Sequence, residues 1–320
     1  LPTGDNRRVC LLTGAGGRLG DAFCRAFYTR YDIVAVCRTR VPAAPSQDEW
    51  FIDPLEPSTP LPENASRIHV VRADLTREGE VERVVDLALA KFGTVDLLVN
   101  NAAHTRMQPH GLVDGDSALD EFDPHFALNV GVPLRLSTRL AQRCWMHGDT
   151  ENRERNRNIV NVSSISGSEV YPGGQAMYSA SKAALNQLTR HLAAEFAEFG
   201  VRANAIAPNS FPALVPTEQV AASIAELDAG AMTGGIYSVG VPERTGVSGN
   251  GIADSISIDG AVAGGPRGST QDSATQLDPM SQRGAAGPEA PAMHGGRAMT
   301  GTAAAPPTGS GRHARPEPPV

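Results

Sequence analysis

Tyr178 and Lys182, within the run Tyr178-Ser179-Ala180-Ser181-Lys182, are two side chains whose types and spacing suit proton transfer. They fall in a stretch, Met177 to Phe199, that reads as a helix, where residues four apart share one face about one turn from each other. An isolated phenol, with a pKa of about 10, is a sluggish proton donor or acceptor at neutral pH. A neighbouring ammonium stabilises the phenolate and tunes the group toward both roles. Taken alone, such a pair is commonplace on an exposed helix face. A second polar cluster lies upstream, in Asn161-Val162-Ser163-Ser164-Ile165-Ser166-Gly167, at the end of an apolar run.

A third segment, Thr13-Gly14-Ala15-Gly16-Gly17-Arg18-Leu19-Gly20, follows the first apolar run and opens onto a helix. A pyrophosphate needs backbone N–H groups unshielded by side chains and the positive end of a helix dipole; a glycine-rich strand-to-helix turn supplies both. Glycines also gather wherever a chain bends tightly, so the segment gains its weight from its place after the first strand.

In this order the segments resemble the short-chain dehydrogenase/reductase family, with some likeness to 3-oxoacyl-[acyl-carrier-protein] reductases and pteridine reductases. The glycine-rich turn is similar to the family's T-G-x-x-x-G-x-G loop. Arg18 departs from it by replacing the middle glycine, as in pteridine reductases, where the guanidinium can reach cofactor phosphate. Asp74-Leu75 resembles the acidic motif beside the adenine ring, and Asn100-Asn101-Ala102-Ala103 the N-N-A-G motif that ends the fourth strand. The serine cluster and Tyr178/Lys182 resemble the family's Ser and Y-x-x-x-K signature. The S-x-x-G pattern selects Ser164, fourteen residues before Tyr178 where many relatives have thirteen, with Ser163 and Ser166 as alternatives. Asn129 takes the place of the asparagine that completes the catalytic set.

The resemblance implies a cofactor site made by Thr13, Gly14, Gly16, Gly17, Arg18, Leu19 and Gly20 with Arg38, Asp74, Leu75, Asn101, Ala102, Tyr178 and Lys182. The second strand ends Val36-Cys37-Arg38-Thr39-Arg40, without the acid that accepts hydrogen bonds from the ribose of NAD. Arginines there favour NADP(H) over NAD(H), although solvent-facing arginines are the simpler alternative. The implied reaction is carbonyl reduction: NADPH gives hydride to the carbon while Tyr178 protonates the oxygen. Lys182 lowers the phenol's pKa and holds the nicotinamide ribose, Ser164 binds the carbonyl oxygen, and Asn129 positions a relay water. Family likeness also implies 3-oxoacyl or polyketide-like substrates, free or carried on an acyl carrier, and a homodimer or homotetramer paired through Phe126 to Trp145 and Met177 to Phe199.

Positioning these groups requires alternating strands and helices. Apolar runs at Val9–Leu12, Ile33–Cys37, Ile68–Arg72, Val95–Asn100, Ile159–Ser163, Val201–Ile206 and Gly235–Val239 read as seven strands. Asp21–Tyr28, Glu78–Phe92, Phe126–Trp145, Met177–Phe199 and Thr217–Leu227 read as helices, the fourth with a stripe at Leu185, Leu188, Leu192 and Phe196. The expected fold is therefore α/β, a single Rossmann-type doubly wound parallel sheet flanked by helices over residues 1–240. Residues 41–65, rich in proline and acid, read as a surface insertion. Residues 208–216 read as a shortened substrate loop, which favours large substrates or else a catalytically weak, NADP(H)-binding protein with a regulatory or scaffold role. Residues 241–320 are rich in Gly and Pro and lack Phe, Trp and Tyr, the composition of a disordered tail.

With 41% hydrophobic and 20% charged residues, the 320-residue chain has the makeup of an ordinary globular enzyme. A net charge of -7 gives no general attraction to nucleic acid or anionic membrane, and neither partner is expected. The mixed-charge segment Glu151 to Asn158 reads as a solvated loop. Cys10, Cys24, Cys37 and Cys144 form no C-x-x-C pair and suit reduced thiols in the cytoplasm. No signal-like segment is visible at Leu1 to Arg8, and the missing initial methionine leaves the original N-terminus open. His104, His110, His125 and His147 show no metal-like spacing; no metal is expected, and surface or capping roles are.

Overall fold

The computed structural model describes residues 7–46, 54–56, 67–113, 116–171 and 173–240. The tail, 241–320, and most of the 41–65 segment lie outside the described residues. Strand β1 spans Arg8–Thr13, β2 Tyr31–Cys37, β3 Ile68–Arg72, β4 Leu97–Asn100, β5 Asn158–Val162, β6 Arg202–Pro208 and β7 Ile236–Val239. All pairings are parallel, in the order β3-β2-β1-β4-β5-β6-β7. The chain thus winds outward in both directions from the β1/β4 junction, and a crevice opens beyond the carboxyl ends of the strands there.

Burial on both faces explains why these strands read as nearly unbroken apolar runs. Helix α1 (Arg18–Phe27) and α8 (Thr217–Ala229) cover one face, where Phe23, Ile33, Val99 and Ile224 are buried. Helices α2 (Glu80–Phe92), α5 (Val132–Leu140) and α7 (Ala176–Phe196) cover the other, around Val84, Leu98, Leu136 and Trp145. In α7, Leu185, Leu192 and Phe196 are buried and Leu188 packs at the edge of the same core, as the helical stripe predicts. The end of α2 is signalled locally: Gly93 takes a left-handed φ of 74° and its N–H closes on the Leu89 carbonyl.

Two regions differ from the sequence reading. The expected helix over Phe126–Trp145 is longer and irregular, running through α3 (Asp116–Asp120), α4 (Phe122–Phe126) and α5, with π-helical turns at Ala127–Gly131 and Ala141–Trp145. Pro133 contributes, because it has no N–H to donate to the Asn129 carbonyl four residues back. The second difference concerns Glu151 to Asn158, which is no solvated loop. It forms much of α6 (Asp149–Glu154) and leads into β5 with Asn152, Arg157 and Asn158 buried. Arg157 meets Asp96 at 3.4 Å, Glu151 at 2.7 Å and the Thr94 hydroxyl at 2.8 Å, so its charge is matched inside the fold. Partners this distant in sequence leave no local pattern.

Candidate active site

A cleft of about 820 Å³ runs along the carboxyl ends of the strands. At one end, β1 delivers the glycine-rich turn. Gly14 adopts a φ of 65°, and a Cβ there would sit 2.9 Å from the Ala102 Cα. Gly16 is required for a reason internal to the protein, since its Cβ would collide with the Arg40 carbonyl. Gly17 begins α1 with no side-chain cap, so the first-turn N–H groups of the helix face the cleft without a competing acceptor of that kind. Together with Arg18 and Leu19, which also line the cleft, this cradle fits the phosphates of a dinucleotide.

The remaining cofactor candidates divide by where they point. Arg38, Asp74, Leu75, Asn101 and Ala102 line the cleft, whereas Thr13 and Gly20 do not. Thr13 lies beneath it, where Oγ1 accepts the N–H groups of Asn101 at 2.9 Å and Ala102 at 3.0 Å. The Asn101 amide donates in turn to the carbonyls of Thr13 and Gly14. These two residues pin the loop to the end of β4. Arg40 donates to the Gly16 carbonyl, while Arg38 is exposed at the cleft and near enough to Asp74 to influence it. Asp74 lies below its ordinary pKa, first because the Thr76 hydroxyl donates to it at 2.6 Å and also because of the Arg38 and Arg77 charges. Arg18 spans the cleft mouth to the Phe211 carbonyl at 3.2 Å.

At the other end stand Ser164, Tyr178 and Lys182. Among the three serines, Ser163 turns under α7 to the Asn186 side chain and Ser166 donates to Gln175, whereas Ser164 stands beside Tyr178, near enough to lower the pKa of its hydroxyl. Geometry thus selects Ser164. Lys182 is almost wholly buried and donates to the Val162 carbonyl at 2.8 Å, with Nζ 5.6 Å from the centre of the Tyr178 ring. Burial lowers its pKa to about 8. The expected lowering of the phenol by this ammonium is not what the fold shows. Burial raises the Tyr178 pKa, and the opposing influence comes from Ser164.

Asn129 also differs from expectation. Its side chain does not line the cleft: Oδ1 accepts from the His104 N–H at 2.7 Å, and Nδ2 donates to the His104 carbonyl and the Ser181 hydroxyl. It braces the loop after β4 against α7 from within a π-helical turn, a geometry common near functional sites. The histidine reading needs correction as well. His125 is fully buried, and His104 lines the cleft with its ring 4.5 Å from that of His125. Glu121, one turn before His125, accepts from His104 Nε2 at 2.6 Å and faces Arg106 at 3.3 Å. The ligand atoms of His104, Glu121 and His125 lie within 4.8 Å, close enough for one metal ion to bridge. Glu121 Oε2 is already engaged by His104, Oε1 faces Arg106, and His125 Nδ1 meets the Glu121 carbonyl at 2.7 Å, whereas His125 Nε2 is buried without a hydrogen-bond partner among the described residues. Only the four-residue spacing of Glu121 and His125 on a helix hinted at this cluster in the sequence.

Comparison with known proteins agrees with this arrangement. The family model for short chain dehydrogenases matches residues 8–221. The chain is 31% identical over 204 residues to the 2-(R)-hydroxypropyl-CoM dehydrogenase of Xanthobacter autotrophicus, covering 63% of this chain and 73% of that protein. It is also 31% identical over 204 residues to Nodulation protein G of Rhizobium meliloti, covering 63% and 72%. Among solved structures, the Pseudomonas aeruginosa RhlG/NADP active-site complex superposes with a TM-score of 0.60 at 22% identity, over 75% of this chain and 97% of that one. A Burkholderia cenocepacia short chain dehydrogenase in complex with NADP gives 0.57 at 22% identity, over 73% and 96%. Among the described residues no helix is long and apolar enough to cross a membrane. With the sheet order, the glycine-rich cradle and the Ser164/Tyr178/Lys182 cluster in place, the chain belongs to the short-chain dehydrogenase family of oxidoreductases.

Proposed function

We propose that this protein is an NADP(H)-dependent oxidoreductase that interconverts a carbonyl and an alcohol. The observation that carries the reading is the meeting of Ser164, Tyr178 and Lys182 on the wall of one cleft, at the far end from the uncapped α1. A nicotinamide dinucleotide bound along that cleft supplies the hydride. First-turn N–H groups at Gly17 to Leu19 hold its phosphates, and Arg38 meets the 2'-phosphate where no carboxylate ends β2.

Ser164 donates to the substrate's carbonyl oxygen and orients it on the phenol. Tyr178, with its pKa raised, is protonated at neutral pH and acts as the acid in reduction. Lys182, at about 8, is mostly charged at pH 7 and sets the local positive field. Asn129 holds the loop that carries His104. Only residues 209–216 separate β6 from α8, which leaves one wall short and suits bulky substrates, including acyl chains on a carrier. The outer faces of α5 and α7 are the proposed pairing surfaces of a homodimer.

A panel of ketones, aldehydes and 3-oxoacyl thioesters, followed by NADPH absorbance, tests the reading. Turnover that is lost in Tyr178→Phe while NADPH still binds is the expected result. Equal activity in that variant overturns the assignment, and equal use of NADH overturns the cofactor preference.

A further inference from the structure

Beyond the reacting groups, the cleft wall contains an imidazole held in a defined orientation. Glu121 lies below its ordinary pKa, first through its hydrogen bond with His104, and is ionised at neutral pH. An ionised carboxylate only accepts, so the 2.6 Å contact identifies His104 Nε2 as the donor. In the neutral ring Nδ1 is then an acceptor, and it makes no hydrogen bond among the described residues.

The placement of this ring is fixed from several sides. Its backbone is bonded in both directions to Asn129, its edge meets His125, and the His125 ring stands 6.4 Å from the ring of Tyr178. His125 is itself neutral: burial lowers its pKa, and Nδ1 is committed to the Glu121 carbonyl. Arg106, on the far oxygen of Glu121, is mostly exposed and helps hold the carboxylate. The side chain of His104 is 31% exposed, in a residue that lines the same cleft as Ser164 and Tyr178.

We infer that His104, oriented by Glu121, is a specificity residue that accepts a hydrogen bond from a donor group on the substrate, so that the enzyme prefers carbonyl compounds bearing a hydroxyl beside the reacting carbon. This rests on the carbonyl-reductase reading and narrows its substrate class. The chemistry at the carbonyl is unchanged; the hydroxyl's proton stays on the substrate and is shared with Nδ1. A methoxy group of similar shape has no proton to give, and a methyl group has neither donor nor acceptor.

The test compares kcat/KM for 2-hydroxycyclohexanone, 2-methoxycyclohexanone and 2-methylcyclohexanone with NADPH. The wild type should favour the hydroxyketone over the methoxyketone by about tenfold, the worth of one neutral hydrogen bond. His104→Leu should erase that preference through KM, with NADPH affinity retained as evidence of folding, and His104→Gln, which keeps an acceptor, should restore part of it. Glu121→Gln should reduce the preference without abolishing turnover. A preference that survives His104→Leu, or a wild type that does not distinguish hydroxyl from methoxy, overturns the inference and leaves the reductase reading intact. So does failure on all three ketones by a wild type that reduces other members of the panel. Inactivity across the whole panel, or activity that survives Tyr178→Phe, overturns the reductase reading itself.

Discussion

At the carboxyl ends of the strands, Ser164, Tyr178 and Lys182 sit beside a cleft; at the amino ends, Asp96, Arg157 and Asp228 are buried with their charges engaged by other residues. Asp96 accepts from Arg155 at 2.6 and 2.8 Å and from the Val9 N–H at 2.9 Å. Burial pulls its pKa upward, but these donors prevail and hold it below the ordinary carboxylate value. Asp228 receives Arg8 through two nitrogens and the Tyr31 hydroxyl at 2.8 Å. Such a network ties β1, β4, β5 and α8 together. Perturbed titration is thus common to both ends and does not by itself mark a reaction site. What separates them is the size of the adjoining cleft, about 820 Å³ against about 250 Å³, and the partners of the buried groups. Among the described residues Lys182 has a carbonyl for a partner and no carboxylate, and Tyr178 has Ser164 beside it.

The contrast can be broken by substitutions on either side. Tyr178→Phe should lower turnover by about 10²- to 10⁴-fold, the range for loss of a positioned acid, with stability little changed. Asp96→Ala should do the reverse. Taking the shared carboxylate from Arg155, Arg157 and the Val9 N–H should cost about 3–5 kcal/mol in urea unfolding, while the folded fraction keeps its kcat. Significant loss of kcat per folded molecule would show that the two ends are coupled.

Lys182→Met sharpens the comparison because it should affect both quantities in opposite directions. Turnover should be lost, and stability at pH 7 should rise by about 3 kcal/mol as a desolvated charge is removed. The pH dependence carries the sign. The folded pKa of about 8 lies below the ordinary 10.5, so between these values the unfolded chain holds a proton that the folded chain has released. Wild-type stability should therefore receive a positive contribution from this group as pH rises from 8 toward 10.5, and the Met variant should lack it. Unfolding curves measured across that range would reveal a missing slope. The smallest expected effect is that of Arg38→Ala, which should weaken NADPH binding by about tenfold, the worth of one charge-assisted contact, and leave NADH unchanged. Equal weakening of both would remove Arg38 from the 2'-phosphate site.

Much of the cleft end was legible because its information is local. A glycine-rich turn follows β1, Tyr178 and Lys182 share a helix face, and each apolar run is a strand of the sheet. The observed β3 bounds, Ile68–Arg72, coincide with the apolar run, and the other strands shift by only a residue or two at either end. The amino-terminal end was misread for the opposite reason. Glu151 to Asn158 looks solvated by composition, yet Arg157 finds Asp96 some sixty residues away. Asn129 was placed by likeness to a family, while its side-chain duty, bracing His104 and Ser181, depends on a turn whose irregularity no helical period announces.

Residue order and spacing determined the parallel α/β architecture and a glycine-rich turn suited to phosphate, since hydrophobic period and turn chemistry act over a few residues; the Tyr178/Lys182 pair needed likeness to a family as well. Only the tertiary structure decided which serine meets the phenol, that burial rather than Lys182 governs its pKa, and that His104, Glu121 and His125 stand together. Those outcomes depend on desolvation and on contacts between segments far apart in the chain, and both exist only once the sheet has brought its strand ends side by side.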